Sequence, residues 1–213
     1  MKILNLYAGI GGNRKLWGDS HEITAIEYKP EIARIYQDFF PNDKVIVADA
    51  HQYLLDHFSE FDFIWSSPPC PTHSKIRLYT SVAKGQAKPE FPDMKLYEEI
   101  IFLKYYFEGK YCVENVIGFY EPLIPPNNFA NHYFWTNFVL SPINSGSRNH
   151  HAVLEQISSR KGFDLSRYKG LDKTKALRNC VEPETGLHIL NCAINSPSLF
   201  DEAVKNNSTP LFT

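Results

Sequence analysis

The sequence lacks the features that define several classes of protein. Its 213 residues contain no stretch close to the about 20 apolar residues that cross a membrane, and the N-terminus has a single lysine before strand-like sequence rather than the pattern of a secretory signal. The four cysteines show no short paired spacing, and Cys70 with His73 forms a lone half-site. We therefore expect reduced thiols, no metal and no membrane, in a soluble cytoplasmic protein.

A surplus of charge of one sign is also missing, since the formal net charge is −2. The charges are distributed unevenly, however. Residues 71–89 contain four cations and no acid, and residues 158–178 contain seven cations and two acids. These two segments are either solvated loops or basic surfaces for a polyanion, from which the more acidic remainder of the chain would be repelled.

Strand-like and helix-like segments alternate through the first half of the chain. The pattern predicts strands at 2–7, 23–26, 45–48, 61–65 and 111–113, and helices at 13–18, 30–40, 51–58 and 93–107. This order is typical of an α/β fold with a mostly parallel, doubly wound sheet and helices on both faces. Ligands of such sheets bind at the carboxyl ends of the strands.

The pattern changes after the proline-rich segment 122–128. Residues 132–140 predict one or two further strands, residues 141–175 are polar and poorly periodic, and residues 187–193 return to helical spacing. We expect a core at 1–140, a small extra lobe at 141–175, and a C-terminal part at 176–213 that returns to the core and ends in a surface segment.

The first strand is followed by a glycine-rich turn, "LYAGIGGN". Glycine at Gly9, Gly11 and Gly12 lets the backbone approach a ligand closely. The dinucleotide fingerprint would need a third glycine where Arg14 stands, so a nicotinamide cofactor is disfavoured.

Acidic and aromatic residues follow the next two strands. Glu27 is placed to accept hydrogen bonds from ribose hydroxyls, Tyr28 to stack on a purine, and Asp49 to accept from an adenine amine. Each residue alone is typical of a turn or a helix cap. Together, at successive strand ends, they favour a cofactor that contains adenosine.

The segment "IWSSPPCPTHSK" places two prolines directly before Cys70. Each proline restricts the backbone, so the thiol leaves the fourth strand on a stiff connection. The fifth strand ends in Glu114 and Asn115. If these two strands are neighbours, a nucleophile and a carboxylic acid emerge side by side.

At this point the sequence resembles the DNA cytosine-5 methyltransferases. The resemblance rests on the glycine turn, the acids after the second and third strands, and the ordered Pro-Pro-Cys and Glu-Asn-Val motifs. The later segment "RNCVEPETGLHI" (178–189) looks like the last motif of the family, which closes the cofactor pocket. The resemblance implies a Rossmann-like class I fold and S-adenosylmethionine as the cofactor. The cofactor-binding residues that it implies are Tyr7, Ala8, Gly9, Gly11, Gly12, Glu27, Tyr28, Asp49, Ala50, Pro68, Asn179 and Val181.

The resemblance also implies a reaction on a cytosine that is flipped out of duplex DNA. Cys70 would add to carbon 6 and Glu114 would protonate ring nitrogen 3, supported by Pro69 and Asn115. A free glutamate has a pKa of about 4.3 and a free thiol one of about 8.5, so the acid needs burial or a shared proton, and the thiol needs a positive environment. Lys75, Arg77 and the sulfonium of the cofactor are expected to provide that environment.

Contacts to DNA are expected from the two basic segments. Residues 71–89 match the mobile loop of the family, and residues 141–175 stand for a reduced target-recognition region, in which Phe163 and Tyr168 suit phosphate contact and limited base reading. The DNA-contacting residues expected are Lys75, Arg77, Lys84, Arg148, Arg160, Lys161, Arg167 and Lys169.

Two departures from the family pattern keep alternatives open. Asn131 stands where an arginine is expected, with Arg148 as a substitute from a loop, and the target-recognition region is small. The alternatives are a weak or silent cofactor- and DNA-binding module that needs a partner chain, and the same chemistry on RNA. The expected setting is a bacterial or phage-infected cell.

Overall fold

One mixed sheet organises the protein, for which a computed structural model describes residues 1–142 and 153–196. Its strands are β1 (Lys2–Leu6), β2 (Glu22–Glu27), β3 (Lys44–Val47), β4 (Phe63–Ser66), β5 (Lys110–Val116), β6 (Asn127–Phe129) and β7 (His132–Thr136). Their order in space is β3-β2-β1-β4-β5-β7-β6. Strands β1 to β5 pair in parallel, whereas β7 is antiparallel to β5 and β6. The predicted mostly parallel, doubly wound sheet is confirmed.

Helices cover both faces of this sheet. They are α1 (Pro30–Phe39), α2 (Ala50–His57), α3 (Lys75–Arg77), α4 (Lys95–Tyr106), α5 (Leu154–Lys161), α6 (Lys173–Arg178) and α7 (Pro183–Asn195). Helices α2 and α4 bury their apolar residues on one face, whereas α7 and the region of α1, α5 and α6 form two clusters on the other. None of the helices in the two described ranges is long and apolar enough to cross a membrane.

The order of the strands changes direction at β1, because later strands are added first on one side of β1 and then on the other. The chain moves outward from β1 to β2 and β3, then returns to β4 on the other side of β1 and continues to β5. Loops that leave β1 and β4 therefore diverge, and a crevice opens at the carboxyl ends of these strands. The glycine turn and the Pro-Pro-Cys segment both lie at this edge.

The predicted helix at 13–18 is wrong, because this segment forms successive turns. Its backbone N–H groups bond three residues back, from Lys15 to Gly12 and from Trp17 to Arg14. Arg14 is 3% exposed and makes two hydrogen bonds with Asp43, at 2.9 and 3.0 Å. This buried ion pair joins the turn to the residue that precedes β3.

The described part of the predicted extra lobe packs against α1. Phe163 is fully buried, and its ring meets that of Phe39 edge-on, with centroids 4.9 Å apart. The Tyr168 hydroxyl donates to Asp38 at 2.8 Å. Phe163 is therefore a core residue, and the expectation that it contacts DNA is wrong. The boundaries 1–140, 141–175 and 176–213 stay a prediction, and the surface segment after 196 lies outside the described residues.

Candidate active site

The Pro-Pro-Cys segment leaves β4 beside the end of β5. These strands are neighbours, so the predicted adjacency of the two motifs is confirmed. The Asn115 side-chain amide donates to the Pro68 carbonyl oxygen at 3.0 Å and joins the two segments directly. Beyond them, the backbone N–H groups of His73 and Ser74 both donate to the Cys70 carbonyl, at 3.0 Å. The cysteine is thus held by hydrogen bonds on both sides along the chain.

The Cys70 thiol is in a partly buried and electrostatically unfavourable position for a thiolate. Burial raises its pKa, and the charge of Glu114 raises it further. Of the cations expected to favour the thiolate, Arg77 pairs with Glu90 at 2.5 Å. Ionisation of the thiol therefore depends on charges that arrive with the ligands or on neutralisation of Glu114.

Glu114 is 8% exposed and has a histidine beside it. His132 Nε2 lies 3.5 Å from Glu114 Oε1, and His132 Nδ1 lies 3.1 Å from the Ala130 carbonyl oxygen. Ala130 and Asn131 form the turn between β6 and β7, with φ of 48° and 61°. Asn131, where the family pattern has an arginine, is therefore a turn residue. The side chain that reaches Glu114 is that of His132, the residue after Asn131.

The backbone after β1 turns through the left-handed region. Tyr7, Gly9 and Gly11 have φ of 54°, 57° and 87°. A non-glycine residue in this region must be held by its surroundings. A Cβ at Gly9 would meet nothing within 4 Å, so the turn borders open space there, whereas neighbouring Ala8 is buried in the core. A ligand can approach the backbone at this open side.

Glu27 and Tyr28 lie next to this turn. Glu27 Oε2 accepts the Gly9 N–H at 3.0 Å, and Oε1 accepts the Lys29 N–H at 2.9 Å. The Tyr28 side chain is 73% exposed. A carboxylate therefore faces the turn, and an aromatic ring beside it is available for stacking.

Asp49 lies at the same edge, at the N-cap of α2. Its carboxylate accepts the Gln52 N–H at 3.0 Å, and this hydrogen bond lowers the pKa of Asp49. The side chain stays exposed, whereas Ala50, the next residue, is buried. Strands β2 and β3 are paired neighbours. Glu27 ends β2 and Asp49 follows β3, so the two carboxylates lie at the ends of adjacent strands.

A fully buried carboxylate, Glu99, connects these strand ends and was missed from the sequence. Glu99 Oε1 accepts from the Tyr7 hydroxyl at 2.6 Å and from His51 Nδ1 at 3.1 Å, and Oε2 accepts from the Ser66 hydroxyl at 2.6 Å. The hydrogen bond to Glu99 raises the pKa of His51, and burial together with the Glu99 charge raises that of Tyr7. The sequence does contain a signal for this residue. Glu99 interrupts the apolar stripe of α4, which includes Leu96, Ile100 and Leu103.

The C-terminal motif packs directly on the glycine turn. A Cβ at Gly12 would lie 2.5 Å from the Val181 carbonyl oxygen, and a Cβ at Gly186 would lie 2.3 Å from that of Asn13. Asn179 is the exposed C-cap residue of α6. Glycine is therefore required at these contacts, and the 178–189 segment closes one side of the turn.

The expected DNA-contacting cations differ in their surroundings. Lys75, Lys84 and Lys169 are exposed. Three arginines have acidic partners instead, and these pairs are Arg77 with Glu90, Arg160 with Glu182 and Arg167 with Asp38. The exposed lysines are consequently the better candidates for a polyanion.

Lys161 is not placed to contact DNA, which corrects the expectation from sequence. It is 4% exposed, its ammonium group binds the carbonyl oxygens of Leu177 and Cys180, and it lies 3.4 Å from Glu182. The cation thus stabilises the C-terminal end of α6. Arg148 lies outside the described residues.

The arrangement as a whole defines a class of protein. A glycine turn follows β1, acids follow β2 and β3, and a thiol and a carboxyl follow β4 and β5 of a doubly wound sheet. Carboxylates and an exposed aromatic ring at this edge suit the hydroxyls and purine of an adenosine. This is a Rossmann-like α/β protein with a candidate ligand site and a nucleophile at the carboxyl edge of its sheet.

The family follows from a comparison of the sequence. The model of the family described as C-5 cytosine-specific DNA methylase matches residues 1–116, which is more than half of the chain. The chain belongs to this family. The matched range contains the glycine turn, Cys70 and Glu114. No curated protein gives a match.

Solved structures with a similar fold include a DNMT2 mutant from Spodoptera frugiperda, which is 24% identical, with 55% of this chain and 36% of that chain covered and a TM-score of 0.39. A putative DNA modification methyltransferase from an Escherichia coli prophage is 15% identical, with coverages of 57% and 33% and a TM-score of 0.37. A methyltransferase from Entamoeba histolytica is 12% identical, with coverages of 74% and 59% and a TM-score of 0.41. The chain thus spans about a third of the length of the first two.

Proposed function

We propose that this protein transfers a methyl group from S-adenosylmethionine to carbon 5 of cytosine in DNA. The proposal is carried by the placement of Cys70 and Glu114 at the ends of neighbouring strands, in a member of the C-5 cytosine methylase family. Carbon 5 of cytosine is too weak a nucleophile to accept a methyl group unaided. A thiolate and an acid at the ring overcome this limit.

Cys70 begins the reaction as a thiolate and forms a bond to carbon 6 of the ring. The displaced electron pair makes carbon 5 nucleophilic, while Glu114 gives its proton to ring nitrogen 3. When bound, S-adenosylmethionine supplies an electrophilic methyl group on a sulfonium. After the transfer, the proton on carbon 5 leaves to water, Cys70 departs as a thiolate, and Glu114 recovers its proton.

The cofactor is held at the carboxyl edge of the sheet in this proposal. The Glu27 carboxylate accepts from the ribose hydroxyls, Asp49 accepts from the adenine amine, and Tyr28 stacks on the purine. The hydrogen bond from the Gly9 N–H to Glu27 also holds the glycine turn in place. The support for this assignment is the donor and acceptor set at one edge of the sheet.

The nucleic acid is expected to be duplex DNA with the target cytosine turned outward, because carbon 6 is unreachable within a stacked pair. Lys75 and Lys84, on the segment that follows Cys70, and Lys169 would meet phosphates. The short segment 141–175, with Arg148, reads the target, aided by a partner chain. The expected setting is a bacterial or phage-infected cell.

A duplex pool with 5-fluorocytosine tests the covalent step. Fluorine cannot leave carbon 5 as a proton, so release of the enzyme is blocked after methyl transfer. We expect a denaturant-resistant adduct that requires S-adenosylmethionine and maps to the Cys70 peptide. Cys70→Ala should form none while still binding cofactor, Glu114→Gln should form it slowly, and Cys192→Ala, on α7, should match the unsubstituted protein.

Two results would contradict the proposal. If the protein methylates the unmodified pool at cytosine carbon 5 but forms no adduct, Cys70 is not the nucleophile. If it methylates neither a DNA pool nor an RNA pool assayed in parallel by nucleoside analysis, the proposed activity is wrong. Methylation of RNA alone would replace the substrate and keep the chemistry.

A further inference from the structure

A second set of contacts, besides the bond between Asn115 and Pro68, joins the turn that carries Cys70 to the chain that follows β5. We propose that His73, through its hydrogen bond with Tyr120, holds Cys70 in the position from which it reacts. The catalytic consequence rests on the proposed function, whereas the position of the thiol can be measured without it. His73 acts through the backbone of the cysteine turn and is thus a positioning residue.

The backbone of His73 is bonded in two directions. Its N–H donates to the Cys70 carbonyl oxygen at 3.0 Å, and its own carbonyl oxygen accepts the Phe119 N–H at 3.2 Å. The next residue, Ser74, forms an isolated antiparallel bridge with Gly118. The turn that carries the thiol is therefore attached to the segment just after β5.

The His73 side chain adds a third link between the same two segments. His73 Nδ1 lies 2.6 Å from the Tyr120 hydroxyl oxygen. The Tyr97 hydroxyl, on α4, donates to the Tyr120 hydroxyl at 3.3 Å and accepts the Leu123 N–H at 3.2 Å. A chain of hydroxyl groups thus connects the cysteine turn with α4 and with the segment after β5.

The surroundings of His73 would suit an apolar side chain equally well. The residue is 2% exposed, and burial lowers its pKa more than the backbone and charge of Asp93 raise it, so the imidazole is neutral. Its Nε2 makes no well-formed hydrogen bond within the two described ranges, although Asp93 is close enough to act on the ring. A buried polar atom without a partner is costly. What the histidine contributes in return is its bond to Tyr120.

This bond completes the restriction of Cys70 on both sides along the chain. Before the cysteine, two prolines restrict the backbone. After it, the contacts of His73 end where α3 begins, because the Ser74 side chain caps that helix by accepting the Arg77 N–H. The exposed lysines of the basic segment 75–89 therefore lie beyond these contacts. A nucleophile displaced by about 1 Å reacts about 100-fold more slowly, so partial release of the turn should be visible in kcat.

Two variants of equal shape test the hydrogen bond itself. Asparagine at position 73 places an amide near the position of Nδ1 and keeps a partner for the Tyr120 hydroxyl, whereas leucine has the same branching and no polar atom. We expect kcat for methylation to be about tenfold lower in His73→Leu than in His73→Asn, as for the loss of one hydrogen bond. KM for S-adenosylmethionine should differ less than about twofold, because the cofactor edge is not touched.

The order of stability should not follow the order of activity. In urea unfolding, His73→Leu should be at least as stable as His73→Asn, because the site is buried and leucine leaves no polar atom unpaired. In a Tyr120→Phe background, kcat of the two variants should agree within about twofold, since neither can then form the bond. Tyr105→Phe, on α4 with a side chain 68% exposed, is the matched control and should change nothing.

Alkylation by iodoacetamide measures the position of the thiol without cofactor or nucleic acid. Burial raises the pKa of Cys70, so release of the turn should expose the thiol and make it more reactive. We expect Cys70 to be alkylated about threefold faster in His73→Leu than in His73→Asn, by peptide mass spectrometry. The fully buried Cys112, measured in the same digest, reports opening of the whole sheet and should keep its rate.

Three results would overturn the inference. They are equal kcat and equal alkylation rates in the two variants, a difference that persists without the Tyr120 hydroxyl, and activities that follow the free energy of unfolding, with Cys112 accelerated as much as Cys70. If the protein methylates cytosine and any of these is found, the inference alone fails. If the variants differ in Cys70 alkylation as expected but the unsubstituted protein methylates neither DNA nor RNA, the proposed function fails and the positioning of the thiol stands.

Discussion

Replacement of Glu99 tests whether one buried carboxylate organises the cofactor edge of the sheet. Glu99→Ala removes the acceptor for Tyr7, His51 and Ser66, which lie at or just beyond the ends of three different strands. Glu99→Gln keeps the shape of the side chain but removes its charge and one acceptor. Glu98→Ala is the matched control, because Glu98 is next in the chain, its side chain is 67% exposed, and its contact with His51 Nε2 is long, at 3.8 Å.

The magnitude depends on the groups that are left without a partner. In Glu99→Ala, the hydroxyls of Tyr7 and Ser66 remain in a buried site without an acceptor, at about 1 to 3 kcal/mol each. We expect the free energy of unfolding to fall by about 3 to 5 kcal/mol once the cavity is included. In Glu99→Gln the hydroxyls can reorient to accept, so about 1 to 2 kcal/mol is expected, and Glu98→Ala should reduce stability by less than about 0.5 kcal/mol.

The pH dependence of stability gives a second readout. The hydrogen bond to Glu99 raises the pKa of His51 above 6.5 in the folded protein. A raised histidine pKa stabilises the fold fully below about pH 6.5, and this contribution disappears as the pH rises through the folded-state pKa. Relative to the unsubstituted protein, Glu99→Ala should therefore be destabilised more at about pH 6 than at about pH 8.5.

Urea unfolding at several pH values and calorimetric titration with S-adenosylmethionine measure both effects. Because Tyr7 begins the glycine turn in the left-handed region, its release should weaken cofactor binding about tenfold in Glu99→Ala. The reasoning is refuted if Glu99→Ala and Glu98→Ala have the same free energy of unfolding and the same cofactor affinity.

Two other predictions concern the ligands. Glu27→Ala and Asp49→Ser should each weaken S-adenosylmethionine binding about 10- to 150-fold by calorimetry, since each removes a charge-assisted hydrogen bond of about 1.5 to 3 kcal/mol. Serine is chosen at position 49 because it keeps the N-cap of α2. Unchanged affinity in both variants would contradict the assignment of these carboxylates to the cofactor. The double variant Lys84→Gln, Lys169→Gln should have a shallower salt dependence of duplex DNA binding, with the slope of log K for binding against log salt reduced by about 0.9 for each phosphate that the protein no longer neutralises. Lys44→Gln, at the start of β3, is the control and should not change this slope. An unchanged slope for the double variant would mean that Lys84 and Lys169 do not contact DNA.

The amino-acid sequence by itself determined the parallel part of the sheet and the position of the chemistry within it, whereas β6 lies mostly in the segment interpreted as a proline-rich link. The five parallel strands lie within a few residues of their predicted bounds, because short apolar runs between turn residues are local signals. The order of strands and helices then brings the loops after the parallel strands to one edge of the sheet. The side-by-side position of Cys70 and Glu114 is a consequence of this order, given that β4 and β5 are neighbours.

The tertiary structure alone decided which side chains within these segments meet. Arg14, in the segment predicted as a helix, pairs with Asp43, 29 residues away. Lys161 and Phe163 look like surface residues in a basic segment but are buried against α6 and α1.

The same holds for the carboxylates at the site. Glu99 is defined by donors from Tyr7 after β1, His51 on α2 and Ser66 at the end of β4. The neighbour of Glu114 is His132 rather than Asn131, because the left-handed turn at Ala130 and Asn131 determines which residue begins β7. Local propensity reports neighbours along the chain, whereas these contacts join residues that only the folded sheet brings together.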